Sequence, residues 1–385
     1  TWDVSFSLGI YAKTIYYEFM RKTFQYRLYP SSGQKTKLQA SLNACRWTYN
    51  ETLATRKKAW EEQEESLSLY DTNKFLVRWK QDKVDLVDVF SQCLQNAQVR
   101  VDLAFKAFFR RIKAGKKPGF PRFRGCDRYD SFTFPQSGFK IIGDRVRISK
   151  IGSVKIRKHR NIEGVIKTLT IRRDAAGKWW ASFSCEVETN PLPKVDAIIG
   201  IDVGLESFAT LSTGEKVNNP RFLRTEEKKL VKAQQKLSKA EPDTPTKRKR
   251  RKAVVHIHCH ISNKRKDFAH KLSRNLVQAY QFIAFEKLNV KDMRENGFKG
   301  IRKSIGDVAW TQFMQFTAYK AVYAGRTVTF VDPRNTSKMC SRCGQLVEKK
   351  MSDRVHSCSC GLVLDRDHNA SINILALGLQ SLASA

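Results

Sequence analysis

The stretch Ala197-Ile-Ile-Gly-Ile-Asp-Val-Gly204 decides how the second half of this chain is read. Its apolar run carries no polar residue on either alternate face, which marks a central strand buried on both sides, and it ends abruptly in a carboxylate. Working outward, a second strand is expected over Ser207–Leu211 after a tight glycine turn. Long helical stretches follow between Leu223 and Tyr280, interrupted near Pro242 and Pro245. Next come a strand over Phe282–Phe285, a helix over Val308–Tyr323, a strand over Thr327–Val331 and a last helix from about Asn369 to Leu379. Strands alternating with helices predict an α/β layer domain.

Upstream the pattern differs. A basic alternating strand begins after Met20, with Phe24, Tyr26 and Leu28 on one face. Helical periodicity runs over Ser32–Glu64 and Asp71–Lys113. The segment Gly115-Lys-Lys-Pro-Gly-Phe-Pro-Arg-Phe-Arg-Gly125 then forbids regular structure. Strands are expected over Ser131–Phe134, Phe139–Ile148, Val165–Arg173 and Trp179–Val187. Together these predict a β-barrel over 20–32 and 126–190 that carries a helical insertion over 33–125. Asn190–Lys194 reads as a linker to a domain over 196–385. Residues 1–19 read as an extension, with Met20 as a natural start.

The 385 residues include 71 Lys and Arg against 37 Asp and Glu, a formal net charge of +34. Such a surplus repels itself unless a polyanion neutralises it, so nucleic acid is the first partner expected. With 41% hydrophobic and 11% aromatic residues, the charge is not that of a disordered basic tail. No run reaches the ~18 apolar residues of a membrane helix, and no signal-peptide pattern opens the chain. A cytoplasmic, nucleoid-associated protein is the expectation. Of the nine cysteines, five are scattered singly, as reduced core thiols are.

Three carboxylates stand where chemistry is usually placed. Asp202 ends the first buried strand, Glu286 follows Phe282–Phe285, and Asp367 precedes the final helix. Each has an ordinary structural alternative as a turn residue or helix cap. Grouped together they would be costly to desolvate without divalent cations, and Mg²⁺ takes such oxygen ligands. Cys340-x-x-Cys343 and Cys358-x-Cys360 form a zinc signal, with Gly344 and Gly361 supplying the turns. His256, His258, Cys259 and His260 invite a second metal reading, but one helix alone supplies them, and a nucleic-acid groove suits them better.

In chain order, Gly200-Ile-Asp-Val-Gly204, Asn219-Pro-Arg-Phe-Leu223, Asn263-Lys-Arg-Lys-Asp-Phe268, Glu286-Lys-Leu-Asn-Val290, Val331-Asp-Pro-Arg-Asn-Thr-Ser337, Cys340-Ser-Arg-Cys-Gly344 and Leu364-Asp-Arg-Asp-His-Asn-Ala370 resemble the successive motifs of the TnpB (OrfB) family. These are insertion-sequence-encoded relatives of type V CRISPR effectors. The likeness runs from Met20 to about Leu377 and includes Tyr26-Arg-Leu-Tyr-Pro30 and Gly119-Phe-Pro-Arg-Phe123. It implies a RuvC-like RNase H fold with Asp202, Glu286 and Asp367 as its catalytic triad on two Mg²⁺. Asp365 competes for the third place, and the family motif, which sets the ligand two residues before Asn369, favours Asp367. The resemblance also implies an RNA-guided DNA endonuclease that reads a short motif beside its double-stranded DNA target. Its guide would come from the transposon end, with one protein per RNA. A nuclease-inactive RNA-guided repressor and a nucleic-acid-binding accessory protein of transposition are the rival readings.

The family usually separates the second cysteine pair by two residues, whereas here only Ser359 intervenes, which makes His356 an alternative ligand. The zinc element is expected over 336–362. Candidate nucleic-acid contacts are Arg46, Tyr49 and Asn50 on the first helix, Gln95 and Arg100 on the second, and Arg122, Phe123 and Arg124 in the Gly/Pro segment. Lys247, Arg248, Lys249, Arg250 and Arg251, with Lys264, Arg265 and Lys266, are expected to follow phosphates. Trp47 reads as packing. Arg354 is a candidate for supporting the cleaved phosphate.

Overall fold

The computed structural model describes residues 19–296, 299–350 and 353–383, so positions 1–18 of the expected extension lie outside it. The chain divides into two units, one over Phe19–Glu188 and one from Thr189 onward.

The first unit opens with β1 (Phe19–Tyr29), then α1 (Ser32–Gln63), α2 (Leu69–Asp82) and α3 (Ser91–Lys113). Six strands follow: β2 (Ser131–Phe134), β3 (Phe139–Ile142), β4 (Arg145–Ile148), β5 (Gly152–Ile156), β6 (Val165–Arg173) and β7 (Trp179–Glu188). They form one antiparallel sheet in the order β2-β6-β7-β1-β5-β4-β3. Phe24, Tyr26 and Leu28 are fully buried, as are Ala181, Phe183 and Cys185, and Phe24 stands opposite Phe183 in register. The two edge strands are consecutive in the chain, and the Phe134 and Phe139 rings meet at 6.3 Å, so the sheet curls into a nearly closed barrel.

Ser31 starts α1 with a capping box, its hydroxyl accepting the Gln34 amide while the Gln34 side chain returns to the Ser31 N–H. Leu38, Leu42, Cys45, Tyr49 and Leu53 form its buried stripe. Three expectations need correction here. The helical stretch from Asp71 to Lys113 is two helices, because Lys83 turns extended and a short 3-10 turn over Val84–Leu86 buries Leu86. The strand expected over Phe139–Ile148 is a hairpin, turned at Gly143 with φ +58. β5 was not anticipated, since it shows only Val154 and Ile156 as inward positions between basic residues.

The second unit contains β8 (Ile198–Asp202), β9 (Ser207–Leu211), β10 (Lys216–Asn218), α4 (Phe222–Ser238), α5 (Pro245–Ala279), β11 (Phe282–Glu286), α6 (Val290–Asn296), α7 (Lys299–Val308), α8 (Trp310–Tyr323) and β12 (Thr327–Val331). A two-stranded ribbon, β13 (Val355–Ser357) and β14 (Val363–Asp365), leads into α9 (Arg366–Ala383). The five-stranded sheet runs β10-β9-β8-β11-β12, with β8, β11 and β12 parallel and β9 and β10 antiparallel. Ile199, Ile201, Phe208, Ile283, Phe285 and Phe313 make the main core, while Phe282, Ala284 and Ile374 form a smaller one. At Gly200 a Cβ would lie 2.2 Å from the Ser371 carbonyl and 2.6 Å from the Leu375 nitrogen. The missing side chain lets the α9 backbone rest directly on β8. No helix among the described residues is long and apolar enough to cross a membrane.

Candidate active site and metal centre

Asp202 and Glu286 end neighbouring parallel strands, in a register that pairs Ile201 with Phe285 one step earlier. Both carboxylates therefore leave the sheet at its C-terminal edge, where open α/β sheets place ligands. Asp367 comes from the first turn of α9, which begins at Arg366 rather than near Asn369 as the sequence suggested. Burial pushes the Asp202 carboxyl well above its usual range, and the Glu286 and Asp367 charges add to this, with Arg366 opposing. Glu286 is 8% exposed. Burial raises its pKa too, although the Thr336 hydroxyl donates to its Oε1. Two further carboxyls that bear on buried Asp202 make a grouping suited to a cation.

Asp365 and Asp367 have different surroundings. Asp365 Oδ1 accepts the backbone amides of Asp367 and His368, both at 3.1 Å, and its Oδ2 accepts Lys216 Nζ at 2.7 Å. It caps α9. Burial alone would raise its pKa, but these donors outweigh it and hold the carboxyl below its usual range. Asp367 instead pairs with Arg366 at 3.1 Å and faces Asp202. Thr336 and Lys216 were missed in the sequence reading, although Thr336 lies inside a quoted motif, and Asp365, weighed there as a rival to Asp367, serves here as the cap of α9.

The four cysteines converge. Cys340 and Cys360 sulfurs are 3.6 Å apart, as are those of Cys343 and Cys358, and all four lie within 4.8 Å of one another. Tetrahedral zinc with Zn–S near 2.3 Å requires sulfur separations of about 3.8 Å, so this donor set fits the ion. The shortened second pair closes because Gly361, at φ +84, returns its amide to the Cys358 carbonyl. Cys343 receives the Gln345 amide, yet burial and the neighbouring sulfurs outweigh it and push that thiol up to about 12. A proton held among thiols is one a cation would displace. His356 is fully buried on β13 with Nδ1 against Lys349 Nζ, outside the four sulfurs.

α9 also holds the segment leading into this cluster. Asn369 accepts the Ser341 amide and donates to the Met339 carbonyl, and Asn373 donates to the carbonyls of Thr336 and Met339. The helix bearing Asp367 thus grips the strand of chain that presents Thr336 to Glu286. Arg354 pairs with Glu206 at 3.1 Å, both exposed. The two help line a cavity of about 430 Å³ with Arg221, Arg224 and Lys303.

The other candidates separate. Tyr49 is buried and packs on Tyr129, so it is a core side chain. Asn50 brackets Arg124 through both backbone groups, and Arg100 donates to Ser131 and Thr133. Arg265 pairs with buried Asp307, which also caps α4 at the Leu223 amide, and Lys264 pairs with Glu226. Arg46 donates to Cys126 Sγ, and Gln95 and Lys266 are exposed. Trp47 packs edge-on against Trp79 as expected. Arg122 and Phe123 are exposed. Lys247, Arg248, Lys249, Arg250 and Arg251 sit in the first turns of α5, where Arg250 donates to the Lys236 carbonyl. His260 faces Glu226 at 3.6 Å, and among the described residues only the four cysteines form a compact metal-ligand group.

The sequence pattern of the family described as "Probable transposase" matches residues 182–297. That of "Cas12f1-like, TNB domain" matches 310–374, and that of "Helix-turn-helix domain" matches 20–65, which here is one strand and one helix. A putative RNA-guided DNA endonuclease of Streptomyces pristinaespiralis is 34% identical, over 94% of this chain and 91% of its own. The putative RNA-guided DNA endonuclease InsQ of Escherichia coli K12 is 29% identical, over 94% and 93%. In fold, the chain matches the solved Cas12f1–sgRNA–target DNA complex with a TM-score of 0.58 at 13% identity, covering 93% of this chain and 99% of that one.

Proposed function

Because the chain belongs to the TnpB (OrfB) family of transposon-encoded relatives of type V CRISPR effectors, we propose the following route from geometry to activity. The protein is an RNA-guided DNA endonuclease of an insertion sequence, with guide RNA and target DNA as its partners. Its second unit is a RuvC-like nuclease domain, with the zinc-binding element inserted over 336–362. The first unit is a wedge-like barrel over 20–32 and 126–190, its helical insertion serving recognition. The RNA derives from the transposon end, and one protein binds each RNA.

Asp202, Glu286 and Asp367 would hold two Mg²⁺, which when bound activate a water against phosphorus and stabilise the departing oxygen. Thr336 fixes the rotamer of Glu286, and Asp365 fixes the turn that delivers Asp367. Arg354 stands beside the β8–β9 turn, where a guanidinium can neutralise the scissile phosphate. Guide pairing supplies sequence recognition, and the basic residues of α5 and the Gly/Pro segment supply phosphate contacts that are indifferent to sequence. Cys340, Cys343, Cys358 and Cys360 would hold one structural zinc.

The observation that carries this reading is the placement of Asp202 and Glu286 at the C-terminal ends of adjacent parallel strands, with Asp367 on the first turn of α9 near enough for its charge to act on Asp202. Target-plasmid cleavage by the RNA-loaded protein tests it. Asp202→Ala should abolish cleavage while RNA binding persists, and full cleavage by that variant would overturn the mechanism.

A further inference from the structure

The outward face of the first unit's barrel carries a second basic site, remote in sequence from every candidate above. Arg27 on β1 stands opposite Trp180 on β7 in antiparallel register, and both point outward because Tyr26, Leu28, Trp179 and Ala181 point to the core. The Arg27 guanidinium carbon lies 5.4 Å from the Trp180 ring centroid and 5.7 Å from that of Tyr29. Tyr29 is 50% exposed. Arg157, whose amide bonds the Arg27 carbonyl at 2.9 Å, joins His159 and Lys178 around a cavity of about 460 Å³. The Trp180 indole N–H is tied to Asp174 at 2.9 Å, and the other Asp174 oxygen accepts the Lys178 amide. The indole plane is therefore fixed.

We propose that this pocket binds one unpaired nucleotide of the RNA the protein carries, its base stacked on Trp180 and Tyr29 and its phosphates held by Arg157 and Lys178. The proposal rests on the RNA-guided reading above. None of the six lining residues is acidic and three are permanent cations, against the single Asp174 carboxylate that bonds Trp180 and Lys178, so the balance at the pocket favours an anion. Aromatic faces add a stacking surface that any base can use, and a guanidinium between two rings extends it. The volume falls in the ~300–1,000 Å³ range of small-molecule sites, which admits a nucleotide and not a duplex. RNA is the source because a folded RNA displays splayed bases in its loops continuously, whereas target DNA offers them only after strand separation.

Photo-crosslinking tests this on the full chain. The probe is a short single-stranded RNA carrying 5-iodouridine, with adducts mapped by mass spectrometry. Adducts should fall on Tyr29 and Trp180. The double variant Tyr29→Ala/Trp180→Ala should lose them and bind the RNA about tenfold or more weakly, while Tyr29→Phe/Trp180→Phe keeps both. Adducts only elsewhere, or equal losses with Phe and Ala, would overturn the pocket and leave Arg27 as cross-strand packing. Stronger crosslinking to DNA of the same sequence would overturn the choice of RNA. A wild-type chain that captures no RNA even at low salt would instead defeat the RNA-guided reading itself.

Discussion

Thr336 shows how much of a carboxylate site lies in residues that bear no charge. Its hydroxyl, 3.1 Å from the Pro333 carbonyl oxygen, donates to Glu286, so it orients a buried carboxylate whose pKa is already raised. Removing such an outer partner commonly costs about 10- to 100-fold in cation affinity or activity. Thr336→Val should therefore shift the Mg²⁺ dependence of cleavage upward by that order with little change in melting, as a titration of rate against Mg²⁺ would show. Asp202 permits an opposite test. Its folded pKa lies above the ~3.9 of an unfolded chain, so ionisation is penalised in the fold. That penalty is absent below the unfolded value, grows as pH rises through the folded one and is complete above it. Asp202→Asn should thus raise the melting temperature of the cation-free protein at neutral pH, by roughly 2–4 °C for each ~1 kcal/mol relieved, while abolishing cleavage. The difference should vanish in acid. Asp202 and Glu286 were legible because an apolar run led straight into each. Thr336 was not, since its partner Glu286 lies 50 residues away in the sequence, and the capping role of Asp365, weighed as a rival ligand, emerged only with Lys216 beside it. Tyr49, Arg100 and Arg265 were legible as aromatic or cationic, but only the fold shows that other side chains and backbone groups already occupy them.

At the scale of elements, the docking of α9 on β8 governs the site. Gly200 and Gly378 both lack room for a Cβ, since one added at Gly378 would lie 2.8 Å from the Ala284 Cβ. Gly200→Ala should destabilise the second unit by about 1–3 kcal/mol, lowering its melting temperature by roughly 2–4 °C per kcal/mol. It should also move Asp367 and reduce cleavage more than the stability loss explains. Thermal melts paired with cleavage rates at low temperature would separate the two effects. The cysteine element gives a second test. Metal analysis should find one zinc per chain, and Cys358→Ser should lose it together with protection of the Ser341 amide, which Asn369 accepts, in amide exchange. Retained zinc in that variant would exclude the four-sulfur site. The parallel strands β8 and β11 were legible from their unbroken apolar runs. The break between α2 and α3 was not, because periodicity continues through a 3-10 turn that buries Leu86. β5 was hidden because a strand with two inward residues carries too little alternation to read.

Across the whole molecule, the net charge of +34 sets behaviour that no single residue controls. Many of the arginines and lysines singled out in the sequence are held by carboxylates or carbonyls, so the count overstates the contacts available to phosphate. Even so, RNA-free protein should bind arbitrary DNA with a steep salt dependence. If six or more phosphates are contacted, affinity should fall by about 10³ or more between ~50 and ~200 mM salt. A flat profile in a filter-binding series would refute that footprint. The order of elements has a further consequence for the newly made chain. β8 and β11 supply two carboxylates early, whereas the third arrives only with α9, after the cysteine element. On the reading proposed above, a nascent protein passes through most of its synthesis without the third carboxylate, and a chain truncated before Asp367 should be unable to nick DNA.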